Sequence, residues 1–173
     1  MTALVIAILG AESTGKTQLA QALAQALAQG RGVSSTWVPE WLRLWCEREG
    51  RTPRPHEQAG IAQEQHRRIM EAASRHEVVV ADTTAMMTAI YSHFLFQDKS
   101  LMPMAQEHHR HYALTLLTAN DLPWQADGLQ RDGAHVREPV LRMIEDALGQ
   151  AGVKASLITG SGDERLHSAL QAV

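Results

Sequence analysis

The sequence has 173 residues, a formal net charge of −3 and one cysteine, Cys46. This length predicts a single domain over residues 1–173 with a sizeable core, and the charge gives no basic footprint for a nucleic-acid partner. No apolar run approaches the ~20 residues that span a bilayer, and no basic stretch precedes the first apolar run, so we expect neither a membrane partner nor a signal peptide. A lone cysteine excludes an internal disulfide and suits a cytoplasmic protein.

The first predicted elements enclose a phosphate-binding loop pattern. Ala3 to Leu9 is a short apolar run that predicts a buried parallel strand, and Lys16 to Ala28 has a composition typical of a helix. Between them the chain fits the pattern of glycine, four residues, then Gly-Lys-Thr. Its residues are Gly10, Ala11, Glu12, Ser13, Thr14, Gly15, Lys16 and Thr17.

This loop predicts ATP binding with Mg²⁺. Gly10 and Gly15 permit tight turns and a close approach of the backbone to a phosphate, and the helix N-terminus adds positive potential at the same place. Lys16 would reach the β- and γ-phosphates, and the hydroxyl of Thr17 would bind the metal ion.

A carboxylate follows the second predicted strand, which covers Val33 to Val38. Glu40 stands at the carboxyl end of that strand, where ligands bind in open α/β sheets. It could accept a proton from a substrate hydroxyl or hold a ribose diol. Arg43 lies three residues on, on the same face of the predicted helix over residues 40–49. The alternative is that Glu40 is an ordinary acid at a helix N-terminus.

The next helix and strand lead to a second acidic candidate. Residues 56–76 predict a long helix whose Gln, His and Arg residues form mostly a solvated face. Residues 77–81 predict a third strand that ends at Asp82, the position where P-loop proteins hold Mg²⁺ with an acid. A helix cap is the alternative role for Asp82. Thr83 and Thr84 then begin a helix that runs to about Phe96.

The second half of the chain continues the alternation of helices and strands. A helix over residues 101–112 contains His108, His109 and His111, which do not share one face and are expected to be solvated rather than to bind a metal. A fourth strand over 113–118 precedes a polar, lid-like segment near 120–137. The chain closes with a helix over 137–149, a strand over 154–159 and a helix over 163–172.

Two arginines in or after the lid-like segment are candidates for the transfer step. Arg131 or Arg137 could close over the γ-phosphate, as arginines often do in phosphoryl transfer. The alternative is that both are ordinary surface arginines. Together the elements predict an α/β fold of the P-loop nucleoside triphosphate hydrolase type, with a five-stranded parallel sheet, helices on both faces and no second domain.

The motifs together resemble the ribosylnicotinamide kinase domain of the bacterial NadR proteins and the wider set of small P-loop ATPases and kinases. The resemblance covers nearly the whole chain. It is carried by Glu-Ser-Thr within the phosphate loop, Glu40 with Arg43, Ile61-Ala62 with Gln65, Asp82-Thr83, Pro123-Trp124 and the run Ala126-Asp127-Gly128-Leu129.

The resemblance implies a nucleoside-kinase-like fold, Mg²⁺, and transfer of the ATP γ-phosphate to the 5′-hydroxyl of nicotinamide riboside, giving nicotinamide mononucleotide. The substrate-binding residues it suggests are Glu40, Arg43, Thr84, Trp124 and Asp127. The chain departs from the family pattern twice: Thr84 stands where a second Asp is frequent, and Arg131 lies one place beyond the usual arginine. The adenylyltransferase and DNA-binding segments of NadR have no counterpart in this sequence.

Three functions follow from these observations. The favoured one is a small-molecule kinase in which Lys16 acts on the phosphates, Glu40 or Asp82 orients the acceptor hydroxyl, and Arg131 or Arg137 closes the site. The alternative is an ATPase or nucleotide-dependent switch that acts on a protein partner. A third is a nucleotide-binding module without chemistry. The sequence leaves the oligomeric state open.

Overall fold

The computed structural model describes residues 3–126 and 133–173. These residues form five strands and seven α-helices, with short 3-10 turns at Pro55–Glu57 and Ala134–Val136. The strands are β1 (Leu4–Leu9), β2 (Ser35–Val38), β3 (Val78–Asp82), β4 (Leu114–Thr118) and β5 (Ser156–Ile158). The helices are α1 (Lys16–Arg31), α2 (Trp41–Glu49), α3 (Gln58–Ala73), α4 (Ala85–Phe96), α5 (Met102–Arg110), α6 (Arg137–Ala151) and α7 (Gly162–Ala172).

The five strands form one parallel sheet in the order β2-β3-β1-β4-β5. This confirms the predicted five-stranded parallel sheet. Strand β1 is central: Ile6 is in register with Val80 of β3 on one side and with Leu114 of β4 on the other. The carboxyl ends of β1 and β3 are therefore adjacent, which brings the phosphate loop close to the end of β3.

Alternating side chains of the central strand bury both faces of the sheet. Ile6 and Ile8 pack in a cluster with residues of α1 and α7, including Leu23 and Ala169. Val5 and Ala7 point to the opposite face, where they share a cluster with Ile69 of α3. This alternation follows from the period of two along a strand, and it accounts for a sheet covered by helices on both faces.

The fourth, fifth and sixth helices form a further part of the core. Leu9 and Leu117, near the carboxyl ends of β1 and β4, cluster with Ile90 of α4 and with Val140 and Ile144 of α6. Every residue of α4 from Ala85 to Ile90 is buried, which explains its nearly continuous apolar sequence. This packing fixes α4 beside the ends of the strands that carry the candidate site.

The element bounds differ from the expected ones at a few ends. Helix α1 continues through Gly30 to Arg31, because the left-handed residue that ends it is Gly32, at φ 64°. Helix α3 begins only at Gln58, because Pro55 starts a separate 3-10 turn. Strands β2 and β5 are shorter than predicted. None of the helices within residues 3–126 and 133–173 is long and apolar enough to cross a membrane.

Candidate functional site

The loop between β1 and α1 is locked onto the end of β4. A Cβ at Gly10 would lie 1.9 Å from Oγ1 of Thr118, so only glycine fits there. The Oγ1 atoms of Thr14 and Thr118 are 2.7 Å apart, and Thr14 also donates to the carbonyl oxygen of Ala11 at 2.8 Å. The side chain of Thr14 is fully buried. These contacts fix the shape of the loop.

The backbone of the loop turns tightly into the first helix. Ser13 has φ 55° and Gly15 has φ 75°, both in the left-handed region, and the helix begins at the next residue, Lys16. Successive amides in such a turn, followed by a helix N-terminus, form an anion-binding concavity. The ammonium of Lys16 donates to the carbonyl oxygen of Ala11 at 2.6 Å, which keeps its charge within this loop.

The end of β3 supplies the acid that the sequence predicted for a metal ion. Oγ1 of Thr17 donates to Oδ2 of Asp82 at 2.5 Å, because Asp82 is in register with Ile8 on the neighbouring strand. The Asp82 side chain is 1% exposed. Its burial raises its pKa, while the hydrogen bond from Thr17 and the charges of Lys16 and Arg43 act in the opposite direction.

The second oxygen of this carboxylate is available for a ligand. Oδ1 of Asp82 is buried and has no hydrogen-bond partner within the described part of the chain. A buried acceptor without a partner is costly, and oxygen ligands from a carboxylate and a hydroxyl suit Mg²⁺. The donor set of Thr17 and Asp82 therefore fits the predicted metal ion, although no three metal-binding side chains of the described residues cluster together.

The segment after β4 lies across the phosphate loop. Nε1 of Trp124 donates to Oε2 of Glu12 at 3.1 Å, and Oγ of Ser13 donates to the carbonyl oxygen of Gln125 at 2.7 Å. Trp124, predicted to bind substrate, is thus in contact with the loop and is not among the residues that line the cavity. Asp127 and Arg131 lie outside the described residues.

An ion pair between a buried arginine and an exposed aspartate anchors the start of this segment. Nη2 of Arg165 on α7 donates to Oδ1 of Asp121, and Oδ2 of Asp121 accepts the backbone N–H of Gly160 at 2.8 Å. Arg165 is 3% exposed and also donates to the carbonyl oxygen of Ile158. The sequence analysis did not single out either residue. In the structure Arg165 shares the buried face of α7 with Ala169, four residues on.

Glu40 and Arg43 face the same cavity as the phosphate loop. This cavity has a volume of about 900 Å³, within the range of small-molecule sites. Oε2 of Glu40 and Nε of Arg43 are 3.9 Å apart. Both Lys16 and Thr17 contribute to the wall. Beyond them the cavity continues between α2, the start of α3 and α4, where it is lined by Leu42, Cys46, Glu47, Thr52, Pro53, Gln58, Met87, Tyr91, Leu95 and Phe96.

A buried glutamine fixes the backbone around Glu40 in the wall of this cavity. Oε1 of Gln65 accepts the backbone N–H of Trp41 at 2.6 Å, and its Nε2 donates to the carbonyl oxygens of Pro39 and Thr83 at 3.4 and 3.5 Å. Gln65 is 2% exposed. It therefore connects the end of β2 to the end of β3, through the residues on both sides of Glu40 and the residue after Asp82.

Two polar residues of α3 were wrongly expected on a solvated face. Gln58 and Gln65 are buried together with Ile61, Ala62 and Ile69. These five positions form the i, i+3, i+4, i+7, i+11 stripe of one helix face, so the helical period alone could have located both glutamines inside.

Thr84 and His109 belong to the core. Oγ1 of Thr84 accepts the N–H of Met86 at 3.2 Å as the cap of α4 and lies 3.2 Å from Nδ1 of His109, whose Nε2 lies 2.9 Å from Oγ1 of Thr115. Thr84 caps α4 and is absent from the cavity wall, and the substrate role suggested for it stays a prediction. His109 is fully buried, so the expectation of a solvated side chain is also wrong for this residue.

Arg137 is buried at the start of α6. Its Nε and Nη2 atoms have no hydrogen-bond partner among the described residues, and the residue is 8% exposed. The alternative prediction of an ordinary surface arginine is therefore wrong for Arg137. Buried guanidinium N–H donors without a partner suit an anion. It does not contribute to the wall of the cavity.

The loop between β1 and α1, the order of the strands and the acid at the end of β3 define a P-loop protein with the fold of the small kinases. The model of the AAA domain family matches residues 5–165, and the chain belongs to this family. No curated protein sequence matches it.

Solved structures confirm the expected likeness to NadR at the level of the fold. NadR protein in complex with NAD and AMP-PNP has a TM-score of 0.77 at 20% identity, covering 99% of this chain and 48% of that one. NadR protein in complex with NR has a TM-score of 0.75 at 21% identity, covering 99% and 50%. The chain thus spans about half the length of both NadR structures. Thymidylate kinase from Ehrlichia chaffeensis has a TM-score of 0.65 at 13% identity, covering 99% and 97%.

Proposed function

We propose that this protein is an ATP-dependent small-molecule kinase that transfers the γ-phosphate to a hydroxyl of a nucleoside, with nicotinamide riboside as the favoured acceptor. The observation that carries the proposal is the cavity itself. Lys16 and Thr17 of the phosphate loop and Glu40 of the acceptor side line one continuous space of about 900 Å³. A kinase needs both substrates in such a space, with the reacting groups in contact.

On the donor side, the loop amides and the N-terminus of α1 would bind the phosphates of ATP. The ammonium of Lys16 would exchange the carbonyl oxygen of Ala11 for phosphate oxygens and neutralise charge that develops during transfer. Thr17 and Asp82 would hold Mg²⁺, which supplies further neutralisation of the phosphate charge when bound.

On the acceptor side, we assign the role of general base to Glu40. Asp82 is engaged with Thr17 and its free oxygen is buried beside the phosphate loop, which suits a metal ligand. Glu40 lines the cavity at the carboxyl end of β2 and would orient the acceptor hydroxyl and accept its proton. Arg43 would sit next to this carboxylate and the transferred phosphoryl group.

The lid arginine remains Arg131 or Arg137 in this proposal. Arg137 has the buried, unpartnered donors that an anion would satisfy. It follows in sequence the segment that crosses the phosphate loop, and in this proposal the arginine would close over the γ-phosphate during transfer. Trp124 and Asp127 are proposed to act in this closure or at the acceptor.

Two solved structures with a similar fold support nicotinamide riboside as the acceptor. One of the two NadR structures is titled as a complex with NR and the other as a complex with NAD and AMP-PNP. By this similarity we propose for this chain a nucleoside acceptor and an ATP-like donor. We likewise propose a cytoplasmic location and a place in NAD biosynthesis.

The test is ATP consumption with Mg²⁺ in the presence of a panel of nucleosides that includes nicotinamide riboside, with the phosphorylated product identified by mass. A 5′-phosphorylated nucleoside is the expected product. ATP hydrolysis without a phosphorylated acceptor would favour the ATPase or switch instead. Tight ATP binding without any turnover would favour a binding module.

A further inference from the structure

The carbonyl oxygen of Ala11, which we call the loop oxygen, accepts two donors. Nζ of Lys16 lies 2.6 Å from it, and Oγ1 of Thr14 lies 2.8 Å from it. Ala11 is fully buried, so solvent water does not reach this oxygen in their place. A carbonyl oxygen has two lone pairs, and a buried one that loses its partners destabilises the structure. If Lys16 moves away, the hydroxyl of Thr14 is the donor that stays.

The hydroxyls of Thr14 and Thr118 have three contacts but only two protons. Their Oγ1 atoms are 2.7 Å apart, and Thr14 also contacts the loop oxygen. Oγ1 of Thr118 lies 3.1 Å from the carbonyl oxygen of Leu9. Because each hydroxyl donates one proton, two arrangements exist. In one, Thr118 donates to Leu9 and Thr14 donates to Thr118, which leaves the loop oxygen to the ammonium. In the other, Thr118 donates to Thr14, whose own proton goes to the loop oxygen.

We infer that Thr14 is a positioning residue that frees Lys16 for the phosphates of ATP. The inference rests on the proposed function, in which ATP binds to this loop and draws the ammonium towards its β- and γ-phosphates. As the ammonium leaves, the second proton arrangement gives the loop oxygen a hydroxyl donor. The departure of Lys16 therefore leaves no buried acceptor unpaired.

Without the Thr14 hydroxyl, both ways of binding ATP are unfavourable. Either the loop oxygen stays unpaired, or Lys16 keeps one of its three N–H donors on it and offers fewer to the phosphates. Both weaken the binding of a nucleotide whose phosphates Lys16 reaches. AMP has only an α-phosphate and leaves the ammonium in place, so its binding should not depend on this hydroxyl.

The first experiment compares Thr14→Ala with Thr14→Ser, two variants that differ only in the hydroxyl. Equilibrium binding of AMP and of AMP-PNP, a non-hydrolysable ATP analogue, is measured for both in the presence of Mg²⁺. We expect the Kd for AMP-PNP to be roughly 5- to 100-fold higher for the alanine variant, and the Kd for AMP to be equal. Thr115→Ala and Thr115→Ser are the matched controls, because Thr115 carries a buried hydroxyl beside His109 on the same strand as Thr118. This pair should bind AMP-PNP equally.

The second experiment repeats the comparison in Lys16→Met, which has no ammonium to release. Thr14→Ala and Thr14→Ser should bind AMP-PNP equally in this background. Thermal unfolding without nucleotide gives an independent result. Lys16→Met should melt close to the wild type, because Thr14 still serves the loop oxygen, whereas Lys16→Met combined with Thr14→Ala loses both donors and should melt below either single variant. If Thr14→Ala alone does not fold, the melting temperature of Lys16→Met decides: a value near that of the wild type supports the inference and a large decrease contradicts it.

The outcomes separate this inference from the proposed function. Equal binding of AMP-PNP by Thr14→Ala and Thr14→Ser overturns the role of Thr14 while the kinase proposal stands. A difference that is the same for AMP, or that persists in Lys16→Met, also overturns it, because the hydroxyl would then act only on the shape of the loop. Wild-type protein that binds no AMP-PNP overturns the proposed function, and the role of Thr14 falls with it. A difference confined to AMP-PNP and lost in Lys16→Met supports the inference, even if no nucleoside is phosphorylated.

Discussion

Thr17 and Asp82 are joined by a 2.5 Å hydrogen bond from the threonine hydroxyl to Oδ2 of the carboxylate. They lie 65 residues apart in sequence and meet because β3 is the immediate neighbour of β1. One residue belongs to the phosphate loop and the other to the end of a buried strand. The pair places a hydroxyl and a carboxylate where a metal ion bound to nucleotide phosphates would lie.

Asp82→Asn should raise the Mg²⁺ requirement of the reaction without weakening the fold. Loss of the anionic ligand should increase the half-saturating Mg²⁺ concentration by about tenfold or more. The buried carboxylate has a raised pKa because burial disfavours its charge, so the neutral amide should leave the melting temperature unchanged or higher. A Mg²⁺ titration of activity at fixed ATP measures the first effect and thermal unfolding the second. An unchanged titration would argue against a metal role for Asp82.

Lys16→Ala should abolish phosphoryl transfer and leave the protein folded. The ammonium is part of the phosphate loop and contacts a backbone carbonyl there, and removing such a donor typically costs roughly 10²- to 10³-fold in kcat. Lys154→Ala is the control for the loss of one positive charge, because Lys154 is an exposed residue between α6 and β5. Turnover of Lys16→Ala at the wild-type rate, with an intact melting curve, would contradict the mechanism.

The sequence predicted the parts of the site that depend on local signals. The phosphate loop was recognisable because glycine, lysine and threonine occur at fixed spacing between a strand and a helix, and Asp82 because an apolar strand ends there. The hydrogen bonds of Gln65 and His109 were not recognisable, because their partners Trp41 and Thr84 lie 24 and 25 residues away in sequence. Composition alone places such polar side chains in solvent, and only tertiary contacts compensate their burial.

Gln65→Leu should weaken both the fold and the reaction. The substitution leaves the backbone N–H of Trp41 without its acceptor, which should lower the free energy of unfolding by about 1–3 kcal/mol. Because Gln65 fixes the chain on both sides of Glu40, kcat should also fall while the KM for ATP stays near the wild-type value. Urea unfolding and steady-state kinetics measure the two effects, and Gln63→Leu controls for the change of residue type. A variant as stable as the wild type would show that this hydrogen bond is not needed.

Acidification should destabilise the protein through its buried histidine. Burial lowers the pKa of His109 from its ordinary value of 6.5 to about 4, so the folded protein binds fewer protons than the unfolded chain between these two values. The stabilising contribution is complete above pH 6.5 and is lost as the pH falls towards 4, by at most about 3 kcal/mol. Urea unfolding across this pH range measures the slope.

The matched variant for this effect is His109→Gln, whose amide can bond to both threonine hydroxyls but does not titrate. Its stability should depend less steeply on pH than that of the wild type. Some slope should persist, because burial and the neighbouring His108 and His111 also lower the pKa of His66 to about 4. Parallel profiles for wild type and variant would assign the acid sensitivity to other groups.

Glu40→Gln distinguishes between Glu40 and Asp82, the two acids that the sequence analysis proposed to orient the acceptor hydroxyl. If Glu40 accepts the proton of the acceptor hydroxyl, the amide should reduce kcat by roughly 10²- to 10⁴-fold, while Mg²⁺ dependence and ATP affinity remain as in the wild type. This is the opposite of the pattern expected for Asp82→Asn. Glu49→Gln controls for the loss of one carboxylate, because Glu49 is exposed at the end of α2, the helix that Glu40 precedes. If Glu40→Gln were fully active, the base would have to be another group, of which Asp82 is the other acid that the sequence analysis proposed.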